Sequence, residues 1–299
     1  DDPDITNGVR ITASVRRIEK GVTIEGGAGV GRITRPGLAM PVGEAAINPG
    51  PRQQIADAVH RAAQQNGYGG GFSVTISVKD GEALAAQTYN GHLGIVGGIS
   101  ILGTSGIVEP MSEKALVDTI RLELDSLYAQ GQRIAFLCPG NYGADFARDT
   151  LGLDLERAVK CSNFIGDTLD MAAAAGFEEV LLIGHVGKLC KLAGGIMNTH
   201  SHTADCRTEL FCTYAALSGA GQEVCAALLH AATTDACIEI LDKAGLRAPV
   251  LAGLVDAIQT HLDRRAAGAF RVGAILFSNQ HGPLGQTQTA KELLQAWTT

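Results

Sequence analysis

The sequence predicts a protein of the α+β or α/β class, with a β-rich N-terminal part and a C-terminal part built on a mostly parallel sheet flanked by helices. Residues 1–90 combine alternating apolar segments with Gly- and Pro-rich turns, which is typical of β structure. Residues 91–299 alternate short, continuously apolar segments with amphipathic ones, the pattern of parallel strands covered on both faces. A chain of 299 residues accommodates two domains, and we place the boundary between residues 90 and 91.

Two strands and one helix stand out in the N-terminal part. Residues 9–18, VRITASVRRI, have alternating apolar positions and predict a strand. A helix is predicted from Pro51 to Ala63, because proline is permitted in a first turn and the apolar residues share one face. Residues 72–78, FSVTISV, alternate with period two and predict a second strand, which leads into an Asp-Gly turn at 80–81.

The C-terminal part begins with a glycine-dense apolar connector over residues 91–111. A long helix follows to Ala129, with Ser112 as its N-cap. Strands are then predicted at 133–138, 159–161, 179–184 and 271–278. The helices between them are predicted to end at Leu151 and Gly176 and to occupy 203–266.

The bulk composition limits the classes of function. A net charge of −7 and an isoelectric point near 5.6 argue against a broad basic face for nucleic acid or an anionic membrane. We find no apolar run near the ~20 residues of a membrane span. Seven scattered cysteines predict reduced thiols and a cytoplasmic location. The chain starts without methionine in a polar turn, so we expect an upstream segment to be missing. The sequence leaves open whether the protein forms a homo-oligomer.

Three predicted strand ends carry distinctive loops, and these predict the location of a ligand site. The loops are CPGNYG at 138–143, GHVGK at 184–188 and SNQHG at 278–282. Each supplies glycine for close backbone approach and a polar side chain. Ligands of open α/β sheets bind outside the carboxyl ends of the strands, so we expect a small-molecule site there.

Five potential metal ligands lie in the segment LLIGHVGKLCKLAGGIMNTHSHTADCR, residues 181–207. They are His185, His200, His202, Asp205 and Cys206. Zinc sites usually take two ligands at a fixed short spacing on one element, and a separation of two places His200 and His202 on different faces of a helix. Three interpretations stay open: a zinc site, the polar wall of a small-molecule pocket, which we favour, or ordinary capping and surface histidines.

The glycine-rich segment GGAGVGRIT at 26–34 superficially resembles a phosphate-binding loop. Such a loop follows an apolar strand and opens a helix, whereas this one runs into Pro36. Bends of β chain, or close approach of another ligand, explain the glycines better. Basic residues beside such turns and the histidine segment, among them Arg32, Arg35 and Arg207, predict a local pocket for a carboxylate-rich ligand, although solvated side chains are an equally good explanation for each.

Four long motifs carry a resemblance to a known family, and together they span nearly the whole chain. They are GRITRPGLAMPVGEAAINPGPR, GHLGIVGGISILGTSGIVEPMSEKAL, KCSNFIGDTLD and LLIGHVGKLCKLAGGIMNTHSHTADCR. The chain resembles the cobalt-precorrin-5B C1-methyltransferase family, the CbiD proteins of anaerobic cobalamin biosynthesis. The resemblance implies transfer of a methyl group from the co-substrate S-adenosylmethionine to C1 of a tetrapyrrole, giving cobalt-precorrin-6A. It also implies that cobalt arrives inside the substrate, so no metal-binding residue is predicted.

The resemblance also directs the choice of site residues. Candidates for catalysis are His185, His200 and Asp205. Candidates for binding the tetrapyrrole are Arg32, Arg35, Lys188, Lys191, Asn198 and Arg207. Candidates for binding the cofactor are Gly140, Asn141, Gly143, Gly184 and Gly187. Which loop takes cofactor and which takes corrinoid is left open, as is the need for a general base.

Two other functions are kept as alternatives. A non-enzymatic corrinoid carrier would use the same basic groups without affinity for S-adenosylmethionine. A metal-dependent hydrolase would use the histidine segment as its metal site.

Family members also carry a further N-terminal segment, and the first residues here resemble the point where that segment ends.

Overall fold

The computed structural model describes residues 5–91, 93–102, 113–140, 143, 146, 148 and 158–298. The chain divides into two compact units, unit 1 from Asp1 to Gln130 and unit 2 from Gly131 to Thr299. The division therefore falls 40 residues after the boundary that the sequence predicts at 90/91. The physical reason is that short strands beyond residue 90 pair back onto the N-terminal segment, as Gly98–Ile99 does with Gly29–Val30.

The described residues of unit 1 form seven strands, three α-helices and a 3-10 turn at Tyr89–Gly91. The strands are β1 (Ile11–Ile18), β2 (Val22–Gly26), β3 (Gly29–Val30), β4 (Arg32–Ile33), β5 (Gly71–Val78), β6 (Ile95–Val96) and β7 (Gly98–Ile99). The helices are α1 (Pro49–Gln65), α2 (Gly81–Ala85) and α3 (Glu113–Ala129). The predicted strands at 9–18 and 72–78 and the two predicted helices are confirmed, whereas the predicted cap Ser112 lies outside the described residues.

The main sheet of unit 1 has the order β1-β5-β2, with β5 antiparallel to β1 and parallel to β2. Alternate residues of β5, from Phe72 to Val78, are buried in a cluster that includes Ala63 of α1 and the partly buried Val59. By contrast, β1 is exposed along nearly its whole length, and Val15 is 50% exposed although it lies opposite buried Val74. The alternation of apolar residues thus identified the strand correctly but not a buried face.

The glycine-rich segment at 26–34 contains the last residue of β2 and the short strands β3 and β4, and it does not turn into a helix. Gly29 has a φ of 75°, and a Cβ added there would lie 2.0 Å from the carbonyl oxygen of Val78. Only glycine allows two backbones to approach so closely in this conformation. The interpretation of these glycines as bends of β chain is confirmed.

The described residues of unit 2 form five strands and seven α-helices. The strands are β8 (Ile134–Cys138), β9 (Val159–Lys160), β10 (Glu179–His185), β11 (Arg271–Ser278) and β12 (Gly282–Gln286). The helices are α4 (Ile165–Ala175), α5 (Val186–Leu189), α6 (Arg207–Leu217), α7 (Gln222–Leu229), α8 (Thr234–Ala244), α9 (Arg247–Ala266) and α10 (Gln288–Thr298). A 3-10 turn at Cys190–Gly194 continues α5.

The sheet of unit 2 confirms the predicted mixed architecture. Its order is β12-β11-β10-β8-β9, and all neighbouring pairs are parallel except β11 with β12. The antiparallel edge strand β12 and helix α10 were not predicted, because the glycine loop before β12 hides a short strand. The end at Leu151 of the helix predicted after β8 lies outside the described residues.

Helices cover both faces of this sheet. Leu181 and Ile183 of β10 pack with Ile275 and Phe277 of β11 and with α10 on one face. The neighbouring residue Leu182 points the other way and is also fully buried. Helix α9 packs against β11 as well, and several of its apolar residues are buried. Because β10 and β11 are buried on both faces, these two strands meet solvent only at their ends.

Two further observations concern the environment of the chain. All seven cysteines are free thiols, and four of them are buried. None of the described helices combines the length and the apolar character that crossing a lipid bilayer requires.

Candidate functional site

A cavity of about 620 Å³ lies at the carboxyl ends of β8 and β10, where the loops of a parallel sheet bind ligands. It is lined by the loop after β8, the end of β10 with the start of α5, and the starts of α6 and α8. The lining residues are Pro139, Gly140, Gly143, Gly184, His185, Gly187, Lys188, Arg207, Thr233, Thr234 and Asp235. Seven of these were predicted site residues, and the fold brings them together from three separate segments.

The glycines of the cavity wall have two different roles. A Cβ added at Gly143 would lie 2.7 Å from the carbonyl oxygen of Ile183, and one at Gly184 would lie 3.0 Å from the Leu189 side chain. These two glycines therefore allow the chain to pack closely at the strand ends. A Cβ added at Gly140 would meet no atom of the described residues within 4 Å, and Gly140 itself is exposed. The predicted Asn141 lies outside the described residues.

His185 ends β10 and is held in one hydrogen-bonding state. Its Nδ1 accepts a hydrogen bond from the backbone N–H of Gly187 at 3.1 Å. Burial lowers the pKa of His185, and the nearby charge of Asp235 opposes that shift. A neutral imidazole with Nδ1 as acceptor carries its proton on Nε2. His185 is therefore a neutral hydrogen-bond donor through Nε2, with its ring edge-to-face against Phe277.

Lys188 joins two of the loops that form the cavity. Its ammonium donates to the carbonyl oxygen of Pro139 at 2.7 Å, which ties the start of α5 to the end of β8. Burial lowers the pKa of Lys188 from its ordinary value. An ammonium has three N–H donors, so Lys188 keeps donors for an anionic ligand in the cavity.

Arg207 contributes the second cation of the cavity and pairs with Asp205. The guanidinium donates to both carboxylate oxygens, with Nε–Oδ1 at 2.5 Å and a second contact at 3.0 Å. These hydrogen bonds lower the pKa of Asp205 and raise that of Arg207. Asp205 and Arg207 also line a smaller neighbouring cavity of about 120 Å³. Asp205 thus lies beside the larger cavity and holds one of its cations.

Lys191 has a different environment from Lys188. It is only 3% exposed, and its ammonium donates to the carbonyl oxygens of Thr199 at 3.1 Å and Ala204 at 2.7 Å. The Asp205 carboxylate lies 3.7 Å away. Lys191 therefore holds the 199–204 turn in place, and this geometry supports a structural role rather than the ligand contact that the sequence predicts.

The polar groups of residues 198–202 hydrogen-bond with one another. The side-chain oxygen of Asn198 accepts from the backbone N–H of His200, whose Nδ1 accepts from the N–H of His202. The two imidazole rings are 4.8 Å apart, edge to face. Within the described part of the chain, no three His, Cys, Asp or Glu side chains converge as metal ligands. Asn198 and His200 therefore stabilise a turn and do not line the larger cavity.

Arg32 and Arg35, the remaining predicted contacts, belong to unit 1. Arg32 donates to the Gly43 carbonyl at 2.9 Å and to Glu25 at 3.1 Å, with half of its side chain exposed. The aliphatic part of Arg35 packs beside Gly94. Both arginines thus contact the loops around β4.

Three lining residues, Thr233, Thr234 and Asp235, were missed from the sequence. Thr233 caps α8 by accepting from the N–H of Ala236 at 3.1 Å, and Asp235 lies in the first turn. A threonine cap followed by an acid is the ordinary start of a helix. The sequence therefore gave no signal that this particular helix starts at a cavity.

Two family models match the chain: CbiD over residues 1–110, and CbiD, C-terminal domain, over residues 198–288. A cobalt-precorrin-5B C(1)-methyltransferase of Ruminiclostridium cellulolyticum is 50% identical over 279 residues, which is 93% of this chain and 73% of the relative. The protein with the same description from Alkaliphilus metalliredigens is 41% identical, over 99% of this chain and 78% of the relative.

One solved structure is also similar in sequence. It is the crystal structure of the cobalamin biosynthesis protein (cbiD) from Archaeoglobus fulgidus, which is 28% identical over 68% of this chain and 63% of that one, with a TM-score of 0.30. The family models and the two close relatives cover both units. On the strength of that sequence identity, the chain belongs to the CbiD family.

Proposed function

We propose that the chain transfers the methyl group of S-adenosylmethionine to C1 of cobalt-precorrin-5B, giving cobalt-precorrin-6A in anaerobic cobalamin biosynthesis. The observation that carries the proposal is a cavity at the strand ends of unit 2, in a family whose close relatives are cobalt-precorrin-5B C(1)-methyltransferases. The relatives give no support to a non-enzymatic corrinoid carrier or to a hydrolase. The free thiols agree with a reducing cytoplasm as the site of the reaction.

The cavity has the size and lining that S-adenosylmethionine requires. Its volume of about 620 Å³ lies within the range of small-molecule sites, roughly 300–1,000 Å³. Gly140 leaves backbone exposed on one wall, where an adenosine group can approach without meeting a side chain. A tetrapyrrole with its ring of carboxylates is much larger than this nucleoside. We therefore assign the cavity to the cofactor and not to the corrinoid.

The charges of the cavity fit the methionine end of the cofactor. Lys188 and Arg207 approach from α5 and α6 and offer charged donors to a carboxylate. His185 adds a neutral donor through Nε2, because its Nδ1 is occupied by the N–H of Gly187. With the pKa of His185 lowered by burial, this donor keeps the same form at neutral pH.

Catalysis by these residues consists of positioning. When bound, S-adenosylmethionine supplies a methyl group already activated on a positively charged sulfur. Lys188, Arg207 and His185 hold its flexible methionine part in one conformation, which lowers the entropic barrier to in-line transfer. The buried strand ends restrict water on the sheet side of the cavity. No strong general base is required by this arrangement, and His185 is held as a donor.

The corrinoid substrate requires other cationic groups, because it carries many carboxylates. Arg32, with an exposed guanidinium, and Arg35 are our candidates in unit 1. In unit 2, His200 and Asn198 are candidates for hydrogen bonds to those carboxylates, since they lie outside the cofactor cavity and are partly exposed. Asp205 is proposed to act through Arg207, whose guanidinium it holds at 2.5 Å.

The proposal is tested by anaerobic incubation of the protein with cobalt-precorrin-5B and S-adenosylmethionine. The expected result is a tetrapyrrole heavier by one methyl group and one equivalent of S-adenosylhomocysteine, both identified by mass spectrometry. Methyl-deuterated S-adenosylmethionine should shift the product mass by three further units, which traces the methyl group.

A Lys188→Ala, Arg207→Ala double variant serves as the control. It should retain the fold, measured by circular dichroism, and lose most of the turnover because the cofactor is no longer held. Turnover equal to that of the unaltered chain would contradict the assignment of the cavity. No turnover by the unaltered chain, under conditions where the Ruminiclostridium relative is active, would refute the proposed function.

A further inference from the structure

Asp235 has an unusual position among the residues of the cavity. It is the only carboxylate among the described residues that line the cavity. The other charged groups there are the cations Lys188 and Arg207, which suit the carboxylate of the cofactor. Asp235 must therefore address a different part of the ligand, with the opposite hydrogen-bonding character.

Ser278, at the end of β11, fixes the orientation of this carboxylate. The Ser278 hydroxyl donates to Oδ1 of Asp235 at 2.5 Å. The Ser278 Oγ itself accepts hydrogen bonds from the backbone N–H groups of Gln280 at 3.0 Å and His281 at 3.1 Å. Because both backbone groups are donors, the hydroxyl proton is directed to Asp235. Ser278 is 2% exposed, so a buried group holds Asp235 as an acceptor.

The atom that faces Asp235 in a complex must therefore be a hydrogen-bond donor. The cofactor has three kinds of donor: its α-ammonium, its ribose hydroxyls and its adenine amine. The α-ammonium is bonded to the same carbon as the carboxylate assigned to Lys188 and Arg207, so it belongs to the methionine end of the cavity. The ribose offers two adjacent hydroxyls, which match the two oxygens of a carboxylate. Acidic residues bind ribose hydroxyls at the carboxyl ends of other parallel sheets.

We propose that Asp235 binds the ribose hydroxyls of S-adenosylmethionine and that Ser278 positions it. The inference rests on the proposed function, because it assumes that the cavity holds this cofactor. It assigns the start of α8 as the ribose subsite, and the start of α5 and Arg207 as the methionine subsite. The adenosine then extends along the open backbone of Gly140.

The test measures binding of S-adenosylhomocysteine and of its 2′,3′-dideoxy analogue by calorimetry. The unaltered chain should bind the dideoxy analogue roughly 10- to 100-fold more weakly, the range for losing a hydrogen bond to a charged group. Asp235→Asn should bind S-adenosylhomocysteine weaker by a similar factor. The variant should also no longer distinguish the two ligands, since their difference is the pair of hydroxyls that Asp235 accepts.

Glu239→Gln is the matched control, one helical turn further along α8. Glu239 is exposed and accepts from the Gln280 side chain at 2.9 Å, so the variant removes the same charge without touching the cavity. It should bind both ligands as the unaltered chain does. The inference is overturned if Asp235→Asn still distinguishes the two ligands, or if Glu239→Gln weakens binding as much as Asp235→Asn.

Ser278→Ala gives a second measurement that does not remove the carboxylate. Because Asp235 is then free to rotate, the KM for S-adenosylmethionine should rise several-fold while kcat changes little. A fall in kcat with an unchanged KM would contradict a positioning role. If the unaltered chain bound neither S-adenosylmethionine nor S-adenosylhomocysteine, the proposed function itself would fail. Intact binding that Asp235→Asn leaves unaffected would remove the ribose assignment alone.

Discussion

The two halves of residues 181–207 contain similar residue types but have different roles. The first half, 181–188, ends a buried parallel strand and presents His185 and Lys188 to a cavity. In the second half, residues 198–204 form a turn whose polar atoms bond mainly to one another and to the backbone, and Arg207 after it returns to the cavity. Ligand-like residues alone therefore do not identify a site. Position at the carboxyl end of a parallel strand identifies one part of the site, and Arg207 and Asp235 join that part from the starts of helices.

Lys188 and Lys191 show this difference most clearly, because they are three residues apart. Lys188 is partly exposed and lines the cavity, whereas Lys191 is 3% exposed and bonded to two carbonyl oxygens. One lysine should matter for ligand binding and the other for folding. Four experiments test this difference between the two halves.

The largest effect is expected for Lys191→Met. Methionine fills the space but leaves the carbonyl oxygens of Thr199 and Ala204 without a donor inside the protein. The free energy of unfolding should fall by about 2–4 kcal/mol, measured by urea denaturation. Lys188→Met, the matched variant, should lose about 1 kcal/mol or less and instead weaken binding of S-adenosylmethionine. Equal losses of stability in the two variants would contradict the different roles of Lys191 and Lys188.

The next effect is expected for Gly140→Val. A Cβ added at Gly140 meets no atom of the described residues within 4 Å, so we expect the fold to accept valine while the cavity wall becomes obstructed. Binding of S-adenosylhomocysteine should weaken by roughly 10-fold or more, since a snugly bound group loses its contacts. Gly219→Val is the control, because a Cβ added at Gly219 also meets no described atom within 4 Å. It tests whether any glycine substitution has this effect. Because Gly219 has a positive φ, this control should cost stability but not binding.

A smaller effect concerns the pH dependence of stability through His185. Burial lowers the pKa of His185 in the folded chain below its ordinary value of 6.5. Below pH 6.5 the unfolded chain therefore binds more protons than the folded chain. The contribution of His185 to the free energy of unfolding is fully present above pH 6.5 and is lost as the pH falls below that value. We expect the free energy of unfolding, measured by urea denaturation between pH 5 and pH 8, to depend less steeply on pH in His185→Gln than in the unaltered chain. Identical slopes would mean that His185 is not held neutral.

The smallest effect is expected for His200→Ala. Its Nδ1 accepts one hydrogen bond from the N–H of His202 in an exposed turn. The free energy of unfolding should change by about 0.5 kcal/mol or less, and binding of S-adenosylmethionine should be unaltered. Reduced turnover with unaltered cofactor binding would support a contact with the corrinoid. Weakened cofactor binding would instead place this turn at the cavity and contradict the difference between the two halves.

Periodicity predicted the elements of the fold better than their limits. The apolar runs at 179–184 and 271–278 identified the two central strands, because strands buried on both faces are continuously apolar. The division into units after Gln130 was not predicted, since the pairing of β6 and β7 with β4 and β3 is long-range and leaves no periodic signal in so few residues. The edge strand β12, with its GPLGQ sequence, is hidden for the same reason.

The candidate site was predictable where it depends on strand ends and not where it depends on helix starts. Gly140, Gly184, His185 and Lys188 follow apolar strands, so their common location could be inferred. Asp235 could not, because nothing local distinguishes its helix from any other capped helix. Its role depends on Ser278, which is 43 residues away and reaches it only in the folded chain.

Cys206, which precedes Arg207 at the start of α6, offers a practical advantage for spectroscopy. Of the seven thiols it is the one classed as exposed, and four of the others are buried. A thiol-reactive fluorophore would therefore attach preferentially beside a cation of the cavity, without introducing a new cysteine. Ligand titrations could then be followed by emission intensity at nanomole scale, with the protein's own sequence supplying the reporter position.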